Sequence, residues 1–526
     1  METDERAMAW TPNAADAVGG VRAMPMGTVA AFAFCLAAAL APVLTVETPP
    51  LADYLDHLGR MHALADLGRD PLLAKFYAVR WAVLPNLAMD LMVPPLMRFM
   101  DVYAAGRLFL VAILTLLAGG AFAIHYALFR RANPFPFAGF LLLYNFAFLQ
   151  GLVNYLMGVA LALWAVAAWL GLRERSPWLR GAVSAVAAIV LFLCHLSALG
   201  IYGFALLCHE GWWLVRHRRL AWRRLAAEAA AFALPFLAVL PLLAASPTDG
   251  LAGDVDFDFP NKLEGLQWLF DGYWDWADYL WAGLVLTVLG GALASRSLRS
   301  HPAGLVFLAG GTLLYLAMPS ILFDSWGADV RLPVGLLFVL TGFLRAEFPK
   351  PWQQRAFLGA VMALALGRFA TVEAAWRSLD ADLHDFRQSL HAIAPGSRVL
   401  LVEADNPGGS LGFNRPLSHA SCLAMVERSS FVADAFTEPG KQVLVVRPEY
   451  FAQSNATDDD SPALSEILRA RAKPGSAGDA YWGRWWTQFD YVYVVYSDRA
   501  AEPDPPGMRL LYPGRRFQLY KVATTG

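Results

Sequence analysis

Charge is what this sequence has least of. Only 16% of its 526 residues are Asp, Glu, Lys or Arg, whereas 57% are hydrophobic and 13% aromatic. That scarcity excludes a soluble multidomain protein and places the chain among polytopic membrane proteins. The net charge of −2 says nothing about nucleic acid, which is not among the expected partners. Cysteine is equally sparse: Cys35, Cys194 and Cys208 lie inside apolar runs and Cys422 stands alone, so neither a disulfide framework nor a zinc spacing follows. No clear internal repeat is present, which argues against a transporter built from inverted halves.

What is present is a series of apolar runs. The first covers Thr28 to Val46, after a polar tail of residues 1–27. Ala37 to Ala41 is similar to a signal-peptide cleavage site, but Pro42 would follow the cut and the preceding basic region is thin, so the run is read as a retained first span. About ten more follow, from Ala104–Phe129 to Phe357–Glu373, several shorter than the usual length of about 17–25 residues. Alternate loops carry Arg130-Arg131, then Arg173, Arg175 and Arg180, then Arg216 to Arg219 with Arg223-Arg224, then Arg296 and Arg299, then Arg345, Lys350 and Arg355. By the positive-inside bias these face the cytoplasm. The loop from Ser246 to Asp278 has Asp249, Asp254, Asp256, Asp258, Asp271, Asp275 and Asp278 against Lys262, which fits the opposite face.

The expected organisation is a cytoplasmic tail (1–27), a transmembrane domain of about 11 helices (28–373) with a long first outer loop (47–103), and an outward-facing α/β domain (374–526). The last rests on short β-rich runs, Arg398–Val402, Gln442–Val446 and Phe489–Tyr496, alternating with helical stretches at Ala375–Ala392 and Ala463–Ala472. No Gly-rich phosphate loop follows these strands, so the domain has no nucleotide site of its own. Having no paired acid or ligand cluster either, it reads as a cap on the outer face. Asn455-Ala456-Thr457 matches a glycosylation sequon, a pattern common by chance.

The first outer loop opens with Pro49-Pro50-Leu51-Ala52-Asp53-Tyr54-Leu55-Asp56-His57-Leu58-Gly59-Arg60. At about 100° per residue, Asp53, Asp56, His57 and Arg60 share one helical face and Leu51, Leu55 and Leu58 the other. The segment reads as an amphipathic helix lying along the membrane surface. Asp56 and Arg60 are also spaced as an ordinary i,i+4 ion pair, so the acidic face has a purely solvated reading as well.

Topology brings further polar residues to the same boundary: Asn145, Gln150 and Asn154 in one turn, His195 and Ser197 in the next, and Asp324, Asp329 and Arg331 in a later loop. Polar groups near lipid depth are costly and tend to mark a pathway or site. Each has a structural alternative: His195 as a helix-terminal imidazole, Asn145 and Asn154 as interhelical glue, Arg331 as a partner of Asp329. The aromatic run from Trp268 to Tyr279 reads as an interfacial belt.

One span, this first-loop segment, many further spans and an outward C-terminal α/β domain together resemble the GT-C superfamily of membrane glycosyltransferases. The resemblance implies a sugar donor carried on a polyprenyl phosphate and an acidic first-loop residue at the reaction centre. The matching residue is Asp53, with Asp56 as its neighbour. The two-adjacent-acid form of the motif is not kept, since Tyr54 follows Asp53 and His57 follows Asp56, which leaves a divalent metal open.

Transfer from a lipid phosphate needs a base for the acceptor hydroxyl and cations for the departing phosphate. Asp53, Asp56 and His57 are the expected catalytic group. Arg60, Asn145, Asn154, His195 and Arg331 are the expected substrate-binding group. The implied setting is a bacterial inner membrane with the C-terminal domain periplasmic and a glycan, lipid or protein acceptor. A multi-spanning transporter or lipid flippase, and a non-catalytic scaffold, are the competing readings.

Overall fold

The computed structural model describes residues 24–248, 256–259, 261–322, 325–405, 417–455, 461–496 and 505–523. Asp249, Asp254, Asp324, Ala456 and Thr457 lie outside these residues, as do positions 1–23 of the expected tail.

Helix α1 (Met26–Thr45) starts after extended Pro25 and ends at extended Val46. The first outer loop then folds into α2 (Tyr54–Asp66), α3 (Pro71–Phe76), strand β1 (Tyr77–Val79) and α4 (Ala88–Leu96). Asp70 caps α3 by accepting from the Leu72 and Leu73 amides, with Pro71 in the first turn. Helices α5 (Val102–Phe129), α6 (Phe146–Gln150), α7 (Val153–Gly171), α8 (Pro177–Cys194), α9 (Leu196–Arg216) and α10 (Trp222–Leu237) follow, then α11 (Leu240–Ala244), α12 (Asn261–Gln267), α13 (Asp275–Ala294), α14 (Pro302–Ala317), α15 (Ala328–Phe343) and α16 (Pro351–Ser389).

The expected apolar segments appear mainly as helix, but Phe137–Gln150 is broken into a 3-10 stretch (Phe135–Leu142) and the short α6, and Ala303–Ile321 leaves the helix after Ala317. Among the described residues eight helices are long and apolar enough to cross a bilayer, while the Phe135–Gln150 and Pro302–Ala317 segments are shorter. The chain is a multi-pass membrane protein. The basic loops gather at one end: Arg131 and Arg345 both pair with Glu347, the latter at 3.3 Å, and strands β2 (Leu298–Ser300) and β5 (Leu344–Ala346) pair antiparallel there. A short hairpin, β3 (Ile321–Leu322) with β4 (Ser325–Trp326), precedes α15.

The C-terminal region holds β6 (Arg398–Glu403), β7 (Phe431–Val432), β8 (Leu444–Val446), β9 (Tyr491–Val495), β10 (Met508–Pro513) and β11 (Phe517–Val522). A five-stranded sheet has the order β10-β11-β9-β6-β7, parallel on the β9-β6-β7 side and antiparallel on the other. The parallel strands are buried along nearly their whole length, which is why they read as continuous apolar runs. Among the described residues two main-chain connections join this region to the membrane part. Helix α16 runs without a break from the last span into it. Strand β8 lies outside the five-stranded sheet and pairs with β1 of the first outer loop, Tyr77 opposite Val446 and Val79 opposite Leu444.

Helix α2 differs from the expectation of a surface helix. Both of its faces are covered by protein, so it is not laid in lipid. On one side Tyr54 and Leu58 close over Gly106 of α5; on the other Gly59 meets the turn at Cys422, where a Cβ at position 59 would stand 2.8 Å from the Cys422 carbonyl oxygen and 3.1 Å from Met425 Sδ. Tyr54, Leu55, Leu58 and Met61 are fully buried, each worth about 1.5–3 kcal/mol of transfer free energy. The amphipathic pattern was real, but its polar face is turned to the C-terminal domain.

Candidate active site

Asp53 stands at the N-terminus of α2, and its position is set by the turn after α6. The Ala52 and Asp53 amides donate to the Leu149 and Gln150 carbonyls at 3.2 and 2.8 Å, and Gln150 Nε2 donates to Asp53 Oδ1 at 3.0 Å. Gly151 makes this approach possible. Its φ is +96°, and a Cβ there would lie 3.1 Å from the Asp53 nitrogen. The Asp53 side chain keeps 15% of its surface exposed, whereas the Asp56 side chain is at 0%.

Asp56, one turn on, accepts from the Phe436 amide at 3.1 and 2.9 Å. Burial pushes its carboxyl up to about 8, against the pull of the His419 and Arg60 charges. The His57 imidazole is buried edge-on against Phe436, ring centroids 5.6 Å apart. Burial, then the charges of Arg60 and His419, holds it well below the usual imidazole range.

A residue of the C-terminal domain stands beside Asp53. His419 Nε2 lies 3.8 Å from Asp53 Oδ1, and its Nδ1 lies 3.9 Å from Asp56 Oδ2 and 3.8 Å from Asp434 Oδ2. Asp434 accepts from Ser421 Oγ at 3.0 and 3.1 Å. Burial works against charge on His419, but Asp434, Asp53 and Asp56 outweigh it and hold the imidazolium up at about 9. Neither His419 nor Asp434 was visible in a reading of local motifs, because each sits more than 350 residues from Asp53. The one available signal was an aspartate inside the otherwise apolar run Phe431–Phe436.

Arg331 closes the other side. Lys262 takes Asp329 at 2.7 Å, and Arg331 turns instead toward His195, with Nη1 3.5 Å from Nε2, and lies within electrostatic reach of Asp53. The Tyr155 hydroxyl donates to the Arg331 carbonyl at 2.5 Å. His195 is also the hinge between α8 and α9, its Nδ1 accepting from the Ser197 amide at 3.2 Å. Asp53, Asp56, His195 and Arg331 are thus assembled in one place.

The remaining expected residues brace that place. Arg60 is buried, bound to Asp90 at 3.0 Å and to Gln442 Oε1, and so ties α2 to α4 and to the C-terminal domain. Asn145 caps α6 by accepting from the Phe148 amide at 3.2 Å. Asn154 accepts from the Met89 amide at 2.8 Å and donates to Asn86 at 2.9 Å, fastening α4 to α7. In the Trp268–Tyr279 run Trp274, Trp276 and Tyr279 are exposed, whereas Trp268 stacks on Phe146 with centroids 4.5 Å apart and the Tyr273 hydroxyl accepts from Trp376 Nε1 at 2.6 Å, so the run is divided between surface and packing.

Asp53, Asp56 and Asp434 converge on the His419 ring, which occupies the space between them. Among the described residues no three His, Cys, Asp or Glu side chains are arranged to hold a metal ion. The residues gathered there are three carboxylates and one imidazole. With Arg331 they offer a partly exposed carboxylate flanked by an imidazolium and a guanidinium, the combination that a proton acceptor next to an anion needs.

A polytopic helical domain, a first outer loop carrying Asp53, and a C-terminal α/β domain packed against that loop make up the fold. Among solved structures, the chain is similar to the crystal structure of ArnT from Cupriavidus metallidurans bound to undecaprenyl phosphate. The TM-score is 0.51 at 12% identity, covering 95% of this chain and 98% of that one. The apo state of the same protein gives 0.48 at 12% identity over 95% and 98%. The arabinofuranosyltransferase AftD from Mycobacteria gives 0.47 at 16% identity, over 96% of this chain and 42% of that one. No protein-family model matches the sequence, and no curated protein matches it. At 12% identity the likeness to ArnT is one of fold.

Proposed function

We propose that this protein is an inner-membrane glycosyltransferase that moves a sugar from a polyprenyl phosphate to a hydroxyl on an extracytoplasmic acceptor. The observation that carries this reading is the placement of Asp53. A partly exposed carboxylate sits within reach of two cations, His419 and Arg331, in a chain with the fold of a protein whose crystal structure holds undecaprenyl phosphate. The basic loops then face the cytoplasm and the C-terminal domain the periplasm.

In the reaction, Asp53 accepts the proton of the acceptor hydroxyl as its oxygen bonds to the anomeric carbon. The bond from that carbon to the phosphate oxygen breaks, and its electron pair leaves with polyprenyl phosphate. Arg331, held by His195 and Tyr155, receives the negative charge of the departing phosphate. One base and one displacement give inversion at the anomeric carbon. Asp56 and His57 lie behind Asp53 and shape its surroundings.

The test is incubation of the purified protein with a panel of radiolabelled polyprenyl-phosphate sugars and a membrane-extract acceptor. Transfer by wild type and its loss in Asp53→Asn support the reading. No transfer from any donor by folded protein overturns it.

A further inference from the structure

The position of His419 goes beyond what the fold explains. We infer that His419, held by Asp434 and Ser421, is a positioning residue for Asp53, so that the C-terminal domain completes the active site instead of merely covering it. The inference deepens the reading above and rests on it.

The geometry is specific. The two ring nitrogens are divided between different carboxylates: Nε2 faces Asp53, and Nδ1 faces Asp56 and Asp434. Asp56 is anchored by the Phe436 amide and Asp434 by Ser421 Oγ, so the ring is aimed from behind by groups that are themselves fixed. Phe436 also packs against the ring, centroids 5.2 Å apart. The Nε2 side of the ring is turned toward Asp53, whose Oδ1 also accepts from Gln150 Nε2 at 3.0 Å. The mount for this ring comes from Ser421 and from Asp434 just after β7, and the Val432 amide of β7 donates to the Tyr77 hydroxyl at 2.9 Å, which fixes β7 to the loop carrying Asp53.

An imidazolium in that place keeps Asp53 ionised and aligned in a site that otherwise crowds carboxylates together. The charged and titratable groups facing it from the packed elements are Asp53, Asp56 and His57 of the first loop and Asp434 and Cys422 of the C-terminal domain, with Arg60 acting on Asp56 and Arg331 on Asp53. Without the imidazolium, Asp53 keeps its proton to higher pH and the acid side of the activity profile moves up.

The experiment compares pH–rate profiles for sugar transfer by wild type, His419→Gln and Asp434→Asn, each checked for folding by its melting temperature. The expected result is an acid limb displaced upward by about 1–2 pH units in His419→Gln, the shift a single opposite charge at this range produces. Asp434→Asn, the milder change, moves it the same way by less, and donor KM is unchanged in both. A wild-type profile in either folded variant, or a uniform loss at every pH, overturns the inference while leaving Asp53 as base. Absence of transfer by wild type removes the base itself, and the role of His419 falls with it.

Discussion

The two carboxylates of α2 are distinguishable by experiment, because they sit in opposite surroundings. Asp53→Asn removes the partly exposed carboxylate and leaves its shape and its contact to Gln150. Loss of a general base costs about 10²–10⁴-fold in kcat, or about 3–5 kcal/mol of transition-state stabilisation. Asp56→Asn acts one layer back. The carboxamide oxygen still accepts from the Phe436 amide, and the loss is a charge 3.9 Å from His419. Such a pair has a gross attraction of about 4 kcal/mol at an effective dielectric of 20, much of it already forfeited because burial favours the neutral acid. The expected cost in kcat is therefore below about tenfold. Single-turnover transfer from a radiolabelled polyprenyl-phosphate sugar measures both. If folded Asp56→Asn is as inactive as Asp53→Asn, or if Asp53→Asn keeps a tenth of the activity, the assignment drawn from exposure is wrong.

Other consequences are equally open to measurement. Arg60→Met strands the buried Asp90 carboxylate and should cost about 3–5 kcal/mol, read as a lowered melting temperature that Arg60→Met/Asp90→Leu recovers in part; an unchanged melt would return Arg60 to a substrate role. Gly151→Ala forces an alanine to a φ of +96° against the Asp53 backbone, and should lower kcat more than stability; equal kcat would show that the turn does not set Asp53. Ala78→Pro removes a backbone donor in the β1–β8 ladder at a cost of about 1–3 kcal/mol, and should speed limited proteolysis of the C-terminal domain; an unchanged digest would show that the pairing does not hold it. His419 has a folded pKa above its unfolded one, so its contribution to stability is full below the ordinary value of 6.5 and lost as pH rises through about 9. The melting temperature should fall across that window, and less steeply in His419→Gln; equal slopes would dissociate His419 from the carboxylates.

Much of the architecture was legible before any coordinates. A span is a run of consecutive residues, and the bilayer imposes its length and polarity on each run separately, so composition alone located the apolar segments and the arginines sorted their loops into two sets. The strands Arg398–Glu403 and Tyr491–Val495 were legible for the same reason, being buried on both faces and therefore continuously apolar. Asp53, Asp56 and His57 stood out because helical periodicity put them on one face.

What periodicity left open was which surface that face would meet. The sequence assigned α2 to the water–lipid boundary, since amphipathicity reports only that one side is polar. Only the tertiary structure showed the polar side closed by Phe436, His419 and Asp434, and the apolar side by α5. It likewise separated braces from candidate chemistry: Arg60 and Asn154 are bound to partners from distant segments and Asn145 caps its own helix, while Asp53 is left partly exposed between an imidazolium and a guanidinium. The sequence by itself determined where the long apolar segments lie and which loop carries the acids, because those depend on neighbours within a few residues. The tertiary structure decided which acid keeps exposed surface and which cations stand near it, because electrostatic attraction depends on distance in space, and His419 and Asp53 are 3.8 Å apart in the fold though far apart along the chain.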